Sequence, residues 1–375
     1  MAIDTMTTTL RPPRALTGRP LLDTHQDMAL YLHREHLERR LVTALRRGLN
    51  VLLEGERGSG KTTLLHALRY GACEPPAAAP SVGDPTGRPG PAGPARFVYL
   101  GAAAAPSAAA VLARLLAELR GADEPSWPTD VDAATALARL QDFCVSANEP
   151  VDPGVPRDPA DRLDGAAPAR PTPGLGHGTC VLIDDVDPVI GHQLFGVLRD
   201  DLWRLPMQWV VTVESRLAPR LLAPPADAFF DVRLTLPPLT RVEALDLISR
   251  RLGRDLSGLD VATLPTTPRR LVRLAANTPP EDWGAGEAAL AAQLDAAKTI
   301  GRSAADVVQA LADLGPSSPS DERLLDRLGC TRARASQVLR SLHEHGLVTY
   351  RDVPADRPGR PNRVYELRPA HAVPA

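Results

Sequence analysis

The sequence predicts an α/β fold in which helices flank a parallel sheet, followed by a small α-helical region and a C-terminal module of three helices and a hairpin. Three observations lead to this prediction. Short apolar runs typical of buried strands alternate with longer segments of helical periodicity. A glycine-rich loop joins the first of these runs to a helix. Beyond about residue 300 the pattern changes to three amphipathic helices and two strand-like segments.

The first strand-like run, Val51–Leu53, leads into a phosphate-binding loop. From Gly55 to Thr62 the sequence matches the P-loop pattern in full, with two glycines flanking a four-residue span before Lys and Thr. In such a loop, backbone N–H groups and the N-terminus of the following helix attract phosphate. The residues expected to bind nucleotide are Gly55, Glu56, Arg57, Gly58, Ser59, Gly60, Lys61, Thr62 and Thr63. The alternative is a glycine-rich turn before an ordinary helix, which the agreement of pattern and context disfavours.

Lysine usage supports the P-loop interpretation. The 43 Lys and Arg residues include lysine only at Lys61 and Lys298, so arginine is the usual cation of this chain. A phosphate-binding loop needs a compact ammonium on a flexible stem, because a planar guanidinium would crowd it. Lys61 is therefore a catalytic candidate, expected to reach the β- and γ-phosphates of ATP. The Thr62 hydroxyl is expected to ligate Mg²⁺.

Two acidic residues follow a second buried strand, Thr179–Ile183. A carboxylate at such a strand tip is the arrangement in which P-loop proteins hold Mg²⁺, so Asp184 is the predicted metal-binding residue of a Walker B element. Asp185 is predicted to orient or deprotonate the attacking water, a catalytic role that needs a carboxylate near the γ-phosphate. The alternative for Asp185 is a solvated acid in a turn with Asp187 and Pro188.

A third predicted strand, Gln208–Val213, has a polar end. In a parallel sheet the carboxyl ends of neighbouring strands gather around the ligand, so Thr212, Ser215 or Arg216 is a candidate to sense the γ-phosphate. Ser215 is counted among the nucleotide-binding candidates. An ordinary strand end with polar residues is an equal alternative, because spacing alone does not distinguish the two.

These elements together resemble the AAA+ ATPases, and within them the group of Orc1/Cdc6-like initiators and the related signalling NTPases called STAND proteins. The resemblance covers most of the chain. It implies that Tyr31–Glu35 packs near the adenine, with Arg34 as the binding candidate. It also implies that Phe230–Thr240 leads into a helical lid, in which Arg241–Leu252 shows helical spacing of apolar residues, Val242 among them.

The same resemblance assigns a catalytic arginine to the lid. In the family, an arginine at the start of a lid helix, called sensor 2, contacts the γ-phosphate. Arg269 is the closest match and Arg270 the neighbouring candidate, while a solvated arginine at the helix start is the alternative. The family commonly has Glu where this chain has Asp185, which is one methylene shorter, and this implies slow turnover or a nucleotide-held switch. An arginine finger is not assigned among the plausible candidates Arg199, Arg204 and Arg220.

The C-terminal segment resembles a winged helix-turn-helix. Helices are predicted for Ser303–Leu314 and Asp321–Leu328, and a third begins after Thr331, a good N-cap residue. Two strand-like segments, Leu347–Arg351 and Arg363–Leu367, complete a hairpin.

In DNA-binding modules of this kind the third helix enters the major groove and the wing contacts the backbone or minor groove. Between Thr331 and Ala370 there are eight arginines and four acidic residues, whereas the whole chain carries a net charge of −2. This local positive charge favours nucleic-acid contact, although such modules also serve as protein docking surfaces. The DNA-binding candidates are Arg332, Arg334, Gln337, Arg340, Arg360 and Arg363.

Composition limits the class of protein. A pI near 6.5 excludes a generally basic nucleic-acid coat protein. The four cysteines are scattered without metal-ligand or disulfide spacing, which fits a reducing cytoplasm. No apolar run approaches the length of a bilayer span, so a cytoplasmic location without a membrane partner is expected. The expected organisation is a disordered arm at 1–20, an ATPase core at 21–237 with Pro/Ala/Gly-rich insertions near 74–95 and 148–177, a lid at 238–298 and the winged helix at 299–370.

The resemblance implies an Mg-ATP-binding, slowly hydrolysing ATPase that acts as a nucleotide-dependent DNA-binding switch. Duplex DNA is the expected partner, with a second copy of the chain or a protein effector as a further one. The main rival is a STAND-like signalling NTPase whose winged helix contacts protein and ignores DNA. A plain winged-helix regulator with a degenerate P-loop is disfavoured, because both Walker elements look intact.

Overall fold

The computed structural model describes residues 16–71, 94, 96–103, 105–121, 131–148, 178–257, 259, 264–353 and 362–368. Of the predicted insertions near 74–95 and 148–177, only residue 94 and residue 148 lie within the described residues. Residue 148 is the last residue of a helix. Of the predicted N-terminal arm only residues 16–20 are described, and Leu16 is buried. The chain divides into two compact units, one of residues 20–237 and a second that contains the described residues from 238 onward and residues 16–19.

The first unit is built on a five-stranded parallel sheet with the strand order β2-β3-β4-β1-β5. The strands are β1 Val51–Gly55, β2 Arg96–Gly101, β3 Thr179–Asp184, β4 Met207–Glu214 and β5 Val232–Thr235. All six residues of β3 are buried, as expected for a central strand covered on both faces. The strands predicted from apolar runs are therefore confirmed, and the sheet order brings the ends of β1, β3 and β4 together.

Helices cover both faces of this sheet. They are α1 His25–Met28, α2 Glu35–Arg46, α3 Lys61–Tyr70, α4 Ala108–Arg120, α5 Ala133–Asn148, α6 Pro188–His192, α7 Arg199–Leu202 and α8 Ala218–Leu221. Neighbouring residues of β1 face opposite cores, because side chains alternate along a strand. Leu52 packs in the core with α4 and α5, whereas Leu53 packs in the core with α2 and α3. A π-helical turn, Gln193–Val197, joins α6 to α7.

The second unit contains six α-helices and one hairpin among its described residues. They are α9 Arg241–Leu252, α10 Pro268–Asn277, α11 Trp283–Ile300, α12 Arg302–Leu314, α13 Glu322–Leu328, α14 Arg332–Glu344, β6 Val348–Val353 and β7 Asn362–Leu367. The predicted helix Arg241–Leu252 is confirmed, but Val242, expected on its apolar face, is 77% exposed. Val242 lies in the first turn of the helix, before the buried face begins at Ala244 and Leu245.

The three C-terminal helices and the hairpin are present as predicted. Thr331 caps α14, because its hydroxyl accepts a hydrogen bond from the Arg334 N–H. The hairpin is antiparallel, and a β-bridge between Ser317 and Tyr365 adds the segment before α13 to its edge. Ala297 of α11 packs in the same core as α12 and α14, and α11 ends at Ile300, close to the expected division at residue 298. We refer to α12–α14 with the hairpin as the C-terminal module. Within the described part of the chain, each helix is too short or too polar to cross a membrane.

Candidate nucleotide-binding site

The P-loop lies between β1 and α3, where the sequence predicts it. Gly58 and Gly60 adopt positive φ angles of 84° and 105°, a region that residues with a side chain rarely occupy. Gly55 is required for a different reason. A Cβ atom at this position would lie 2.7 Å from Ser59 Oγ and 3.2 Å from Leu236 Cβ, so even a methyl group does not fit. The glycine pattern therefore sets the conformation of the loop.

Lys61 is buried and folds back over the loop. Its Nζ donates hydrogen bonds to the carbonyl oxygens of Gly55 (2.9 Å) and Glu56 (3.1 Å). The Ser59 hydroxyl is buried in the same loop and has no hydrogen-bond partner among the described residues. An ammonium group held by carbonyl oxygens and a buried hydroxyl with unused capacity both suit a phosphate group. The residues present at the P-loop therefore fit the phosphates of a nucleotide.

Asp184, at the tip of β3, accepts hydrogen bonds from three hydroxyl groups. Thr212 donates to its Oδ1 at 2.7 Å, and Thr62 and Tyr99 donate to its Oδ2 at 2.7 and 3.0 Å. The carboxylate is only 7% exposed. These bonds bring the predicted metal ligands Thr62 and Asp184 into direct contact, 122 residues apart in sequence.

This donor set fits Mg²⁺, which prefers oxygen ligands and uses only one or two protein groups beside substrate phosphates. Among the described residues, there is no group of three or more His, Cys, Asp or Glu side chains that could hold a metal ion by themselves. A Mg²⁺ site built from Thr62, Asp184 and the oxygens of a bound nucleotide would need only these two protein groups and no cluster of three.

Asp185 follows β3 in an unusual backbone conformation, with a φ of 55°. The Thr212 hydroxyl accepts a hydrogen bond from its N–H at 2.8 Å, which helps to hold that turn. Its side chain reaches solvent. Desolvation by the surrounding protein and the charge of Asp184 raise the pKa of the Asp185 carboxyl, while Lys61 and Arg57 oppose this change. Asp187 does not share the site, because its carboxylate caps α6.

The other nucleotide-binding candidates have assigned contacts. The Ser215 N–H donates to Gly55 O at 3.2 Å, which places the end of β4 beside the P-loop. Thr63 Oγ1 accepts from the Leu21 N–H at 3.2 Å. The Arg34 guanidinium donates to Pro237 O at 2.8 Å. The roles of these residues in nucleotide binding stay predictions.

Two of the three candidate γ-phosphate sensors, Thr212 and Arg216, form side-chain contacts with other protein groups. Thr212 is fully buried, and its hydroxyl is used by Asp184 and by the backbone of Asp185. Arg216 forms an ion pair with Glu214 at 2.8 Å. Thr212, near the polar end of β4, therefore holds the Asp184 carboxylate. The strand pattern in the sequence does not distinguish such a residue from one that contacts phosphate.

The sensor 2 candidates lie at the start of α10, in the second unit. Arg270 pairs with Glu287 at 3.0 Å and lies 3.9 Å from Asp313, so its guanidinium connects α10 with α11 and α12. Arg270 is therefore part of this ion-pair network. The role of Arg269 stays a prediction.

Sequence analysis did not find Tyr99, whose ring also stacks against His66 at 4.6 Å between centroids. Burial lowers the pKa of His66, and the charges of Asp23 and Asp184 partly oppose this. Tyr99 pairs with Leu182 in the parallel register of β2 and β3, so it lies on the same face as Asp184, two residues further along β3. Only the pairing register, which the local sequence does not contain, would have indicated this contact.

The DNA-binding candidates on α14 share its exposed face. Arg332, Arg334, Gln337 and Arg340 are exposed, and Arg334 donates to Gln337 at 3.0 Å. Arg363 on β7 stacks over the Tyr350 ring at 4.5 Å and lies 3.7 Å from Asp352. Arg360 falls outside the described residues.

Several known proteins resemble this chain. The ORC1 protein of Aeropyrum pernix in complex with DNA is 18% identical, with 90% of each chain covered and a TM-score of 0.42. The ORC2 protein of A. pernix, solved as ADPNP-ADP complexes, is 14% identical, with 92% of this chain and 94% of that chain covered and a TM-score of 0.40. Cdc6p from Pyrobaculum aerophilum is 16% identical, with 92% and 95% covered and a TM-score of 0.40. A comparison with curated protein sequences finds no match.

The family assignment comes from the sequence itself. The family model for the AAA ATPase domain matches residues 32–223, more than half of the chain. This range includes the P-loop with Lys61, the predicted Walker B residue Asp184 and the strand β4. The chain therefore belongs to the AAA ATPase domain family.

Proposed function

We propose that this protein binds Mg-ATP, hydrolyses it slowly and uses the nucleotide state to control binding to duplex DNA. The observation that carries the proposal is the 2.7 Å hydrogen bond from Thr62 to Asp184, which joins the Walker A and Walker B elements beside Lys61. A P-loop motif whose Walker B strand lay elsewhere in the fold would not support nucleotide hydrolysis.

Each residue of the site has a separate role in this proposal. Lys61 would exchange its two carbonyl partners for phosphate oxygens. Thr62 and Asp184 would hold Mg²⁺, whose charge offsets the charge of the β- and γ-phosphates. Tyr99 and Thr212 keep the Asp184 carboxylate in one orientation by donating to its two oxygens.

Asp185 would place the attacking water by accepting a hydrogen bond from it. Desolvation, together with the charge of Asp184, raises the pKa of its carboxyl, which makes the carboxylate a better proton acceptor than an ordinary Asp. Its shorter side chain, compared with Glu, is the reason to expect slow turnover. Arg269 would add positive charge from the lid when nucleotide is bound.

DNA binding is assigned to the C-terminal module, which we interpret as a winged helix. The support is the exposed row of Arg332, Arg334, Gln337 and Arg340 opposite the buried face of α14. Such side chains suit contacts to phosphates and base edges in the major groove. A second copy of the chain or a protein effector is a further partner in this proposal.

ATP turnover by the purified protein, with and without duplex DNA, tests the proposal. Lys61→Ala provides the blank, because it removes the ammonium that is expected to contact the phosphates. Turnover that DNA changes several-fold would support coupling between the site and the C-terminal module. Turnover at the level of the blank under both conditions would exclude a hydrolysing enzyme.

One observation favours a second candidate, a signalling switch whose C-terminal module is held by its own chain. Asp313 of the module is buried and contacts Arg327 at 3.1 Å and Arg270 of the preceding α10 at 3.9 Å. Arg273 of α10 also donates to Ala312 O at 2.8 Å. These contacts bind the module to the helices before it, as an intramolecular docking role requires.

DNA binding by Arg334→Ala/Arg340→Ala distinguishes the two candidates. The DNA-switch proposal expects a clear loss of affinity, about 1–3 kcal/mol for a contact that reads a base. The matched control is Arg323→Ala, because Arg323 lies in the same module but is paired with Asp321 at 2.8 Å. An unchanged affinity in the double variant, or no DNA binding by the unmodified protein, would favour the signalling switch.

A further inference from the structure

A second positively charged surface lies in the first unit, away from the C-terminal module in sequence. The side chains that form it, called here the arginine surface, are His36, Arg39, Arg40 and Arg47. All four are exposed and line a cavity of about 420 Å³. Leu49 and the Val232 side chain of the edge strand β5 form an apolar part of its wall.

The helical repeat of α2 produces this surface. Positions 39 and 40 follow position 36 by three and four residues, and position 47 follows position 39 by eight. All four therefore lie along one side of the helix and the turn after it. At 1.5 Å per residue, the three arginines span ~12 Å. The acid between them, Glu38, is turned inward. It is buried and accepts a hydrogen bond from the Tyr31 hydroxyl at 2.8 Å.

The arginines of this surface differ from other arginines of the chain in their pairing. Arg204 and Arg250 form ion pairs with acids of their own helix or turn, at 3.2 and 2.8 Å. Arg39, Arg40 and Arg47 form no ion pair with any residue in the described part of the chain. The Arg39 Nε atom instead donates to a backbone carbonyl at 3.3 Å. Like charges gathered on one surface repel one another, so an anionic partner would relieve this repulsion.

We propose that the arginine surface binds the sugar–phosphate backbone of duplex DNA, as a contact separate from the one proposed for the C-terminal module. A duplex carries one negative charge for every ~1.7 Å of its axis, so a linear stripe of cations can contact several phosphates at once. The planar guanidinium fork matches phosphate oxygens in pairs. Leu49 and Val232 offer an apolar surface to the deoxyribose. Acidic peptides match less well, because their charges are sparser and irregularly spaced.

The salt dependence of DNA affinity tests this proposal in the full-length protein. Each phosphate contact contributes about −0.9 to the slope of log K against log salt concentration. We expect Arg40→Gln/Arg47→Gln to make that slope shallower by ~1.8 for a labelled duplex of random sequence, measured by fluorescence anisotropy. The control is Arg204→Gln/Arg250→Gln, which removes the same charge from two arginines that already have partners. An equal change of slope in the control would show a general charge effect and overturn the proposal.

A second comparison separates this proposal from the proposed function of the C-terminal module. Arg334→Ala/Arg340→Ala could leave DNA affinity unchanged while Arg40→Gln/Arg47→Gln makes the salt slope shallower. In that case DNA binding by the C-terminal module is wrong and DNA binding by the arginine surface stands. An unchanged slope in the arginine-surface variant overturns the present proposal, whatever the other variant does. Two further results would also overturn it: a sedimentation change showing that the variant disrupts self-association, or stronger dependence on Arg40 and Arg47 for polyglutamate than for DNA.

Discussion

The hydroxyl group of Tyr99 offers a direct test of how the Walker B carboxylate is held. Tyr99 donates to Asp184 Oδ2 at 3.0 Å, and its ring stacks on His66. Tyr99→Phe removes the donor and keeps the ring, so the packing contact remains. The change therefore isolates one hydrogen bond to a carboxylate that is almost fully buried.

The size of the effect follows from the charge of the acceptor. Hydrogen bonds to charged groups contribute about 1.5–3 kcal/mol to stability. Asp184 keeps two other donors, Thr62 and Thr212, so the loss should lie near the lower value. For a domain of 150–250 residues a loss of ~1.5 kcal/mol lowers Tm by roughly 3–6 °C. Thermal unfolding followed by circular dichroism measures this shift.

Metal binding provides the second measurement. Removing a hydrogen-bond partner of a metal ligand typically lowers metal affinity by about 10–100-fold. We expect Tyr99→Phe to need about tenfold more Mg²⁺ for half-maximal binding of a fluorescent ATP analogue. This measurement does not depend on turnover, so it remains informative if hydrolysis is slow.

Tyr70→Phe is the matched control. Its hydroxyl interacts with His25 Nδ1 at 3.1 Å on the surface, and Tyr70 is 42% exposed. The control should change stability by less than ~0.5 kcal/mol. If Tyr99→Phe and Tyr70→Phe behave alike in both assays, the hydroxyl of Tyr99 does not position Asp184 and the reasoning is refuted.

Three other predictions follow from the same unit. Gly55→Ala should abolish binding of a fluorescent ATP analogue, because the new Cβ would lie 2.7 Å from a buried P-loop hydroxyl, whereas Gly101→Ala, with no described neighbour within 4 Å, should retain it. Asp185→Asn should lower ATP turnover by about 10²-fold or more, because it removes a proton acceptor. It should not lower Tm, because it also removes the repulsion from Asp184. Unchanged turnover would contradict the assigned role. Stability should fall as pH drops below about 6.5, because burial lowers the pKa of folded His66 and the unfolded chain therefore binds the proton first. His66→Gln should weaken this fall in Tm between pH 7 and 5.5, and an identical pH profile would assign it to other groups.

The parts of the site that the sequence predicted are local in the chain. Lys61 and Thr62 follow from a continuous pattern, because a P-loop builds its phosphate site from successive backbone N–H groups. Asp184 follows from a buried strand that ends in a carboxylate. The contact between Thr62 and Asp184 needed one further fact, that β1 and β3 are separated only by β4 in the sheet.

The parts that the sequence did not predict depend on pairing between distant strands. Tyr99 contacts Asp184 because β2 and β3 are neighbours in a register that aligns Tyr99 with Leu182. Thr212 lies within β4 and not at its end, and its hydroxyl donates a hydrogen bond to the Asp184 carboxylate. A polar residue in a buried strand indicates a buried partner, but only the sheet order shows which one.

The lid and the C-terminal module illustrate the same dependence on packing. The sequence places the division between the expected lid and winged helix at residue 298, and α11 ends close to it, at Ile300. Asp313 is buried, which raises the pKa of its carboxyl, and the charges of Arg327 and Arg270 oppose this change. Removing one partner from such a buried ionic network typically costs about 3–5 kcal/mol, so its members hold one another in a fixed arrangement. Since Arg270 follows Arg269 directly on α10, a movement of α10 caused by nucleotide at Arg269 would also move α12. Such a movement would serve either candidate function, because the same ion pairs hold α12 against α10 in both.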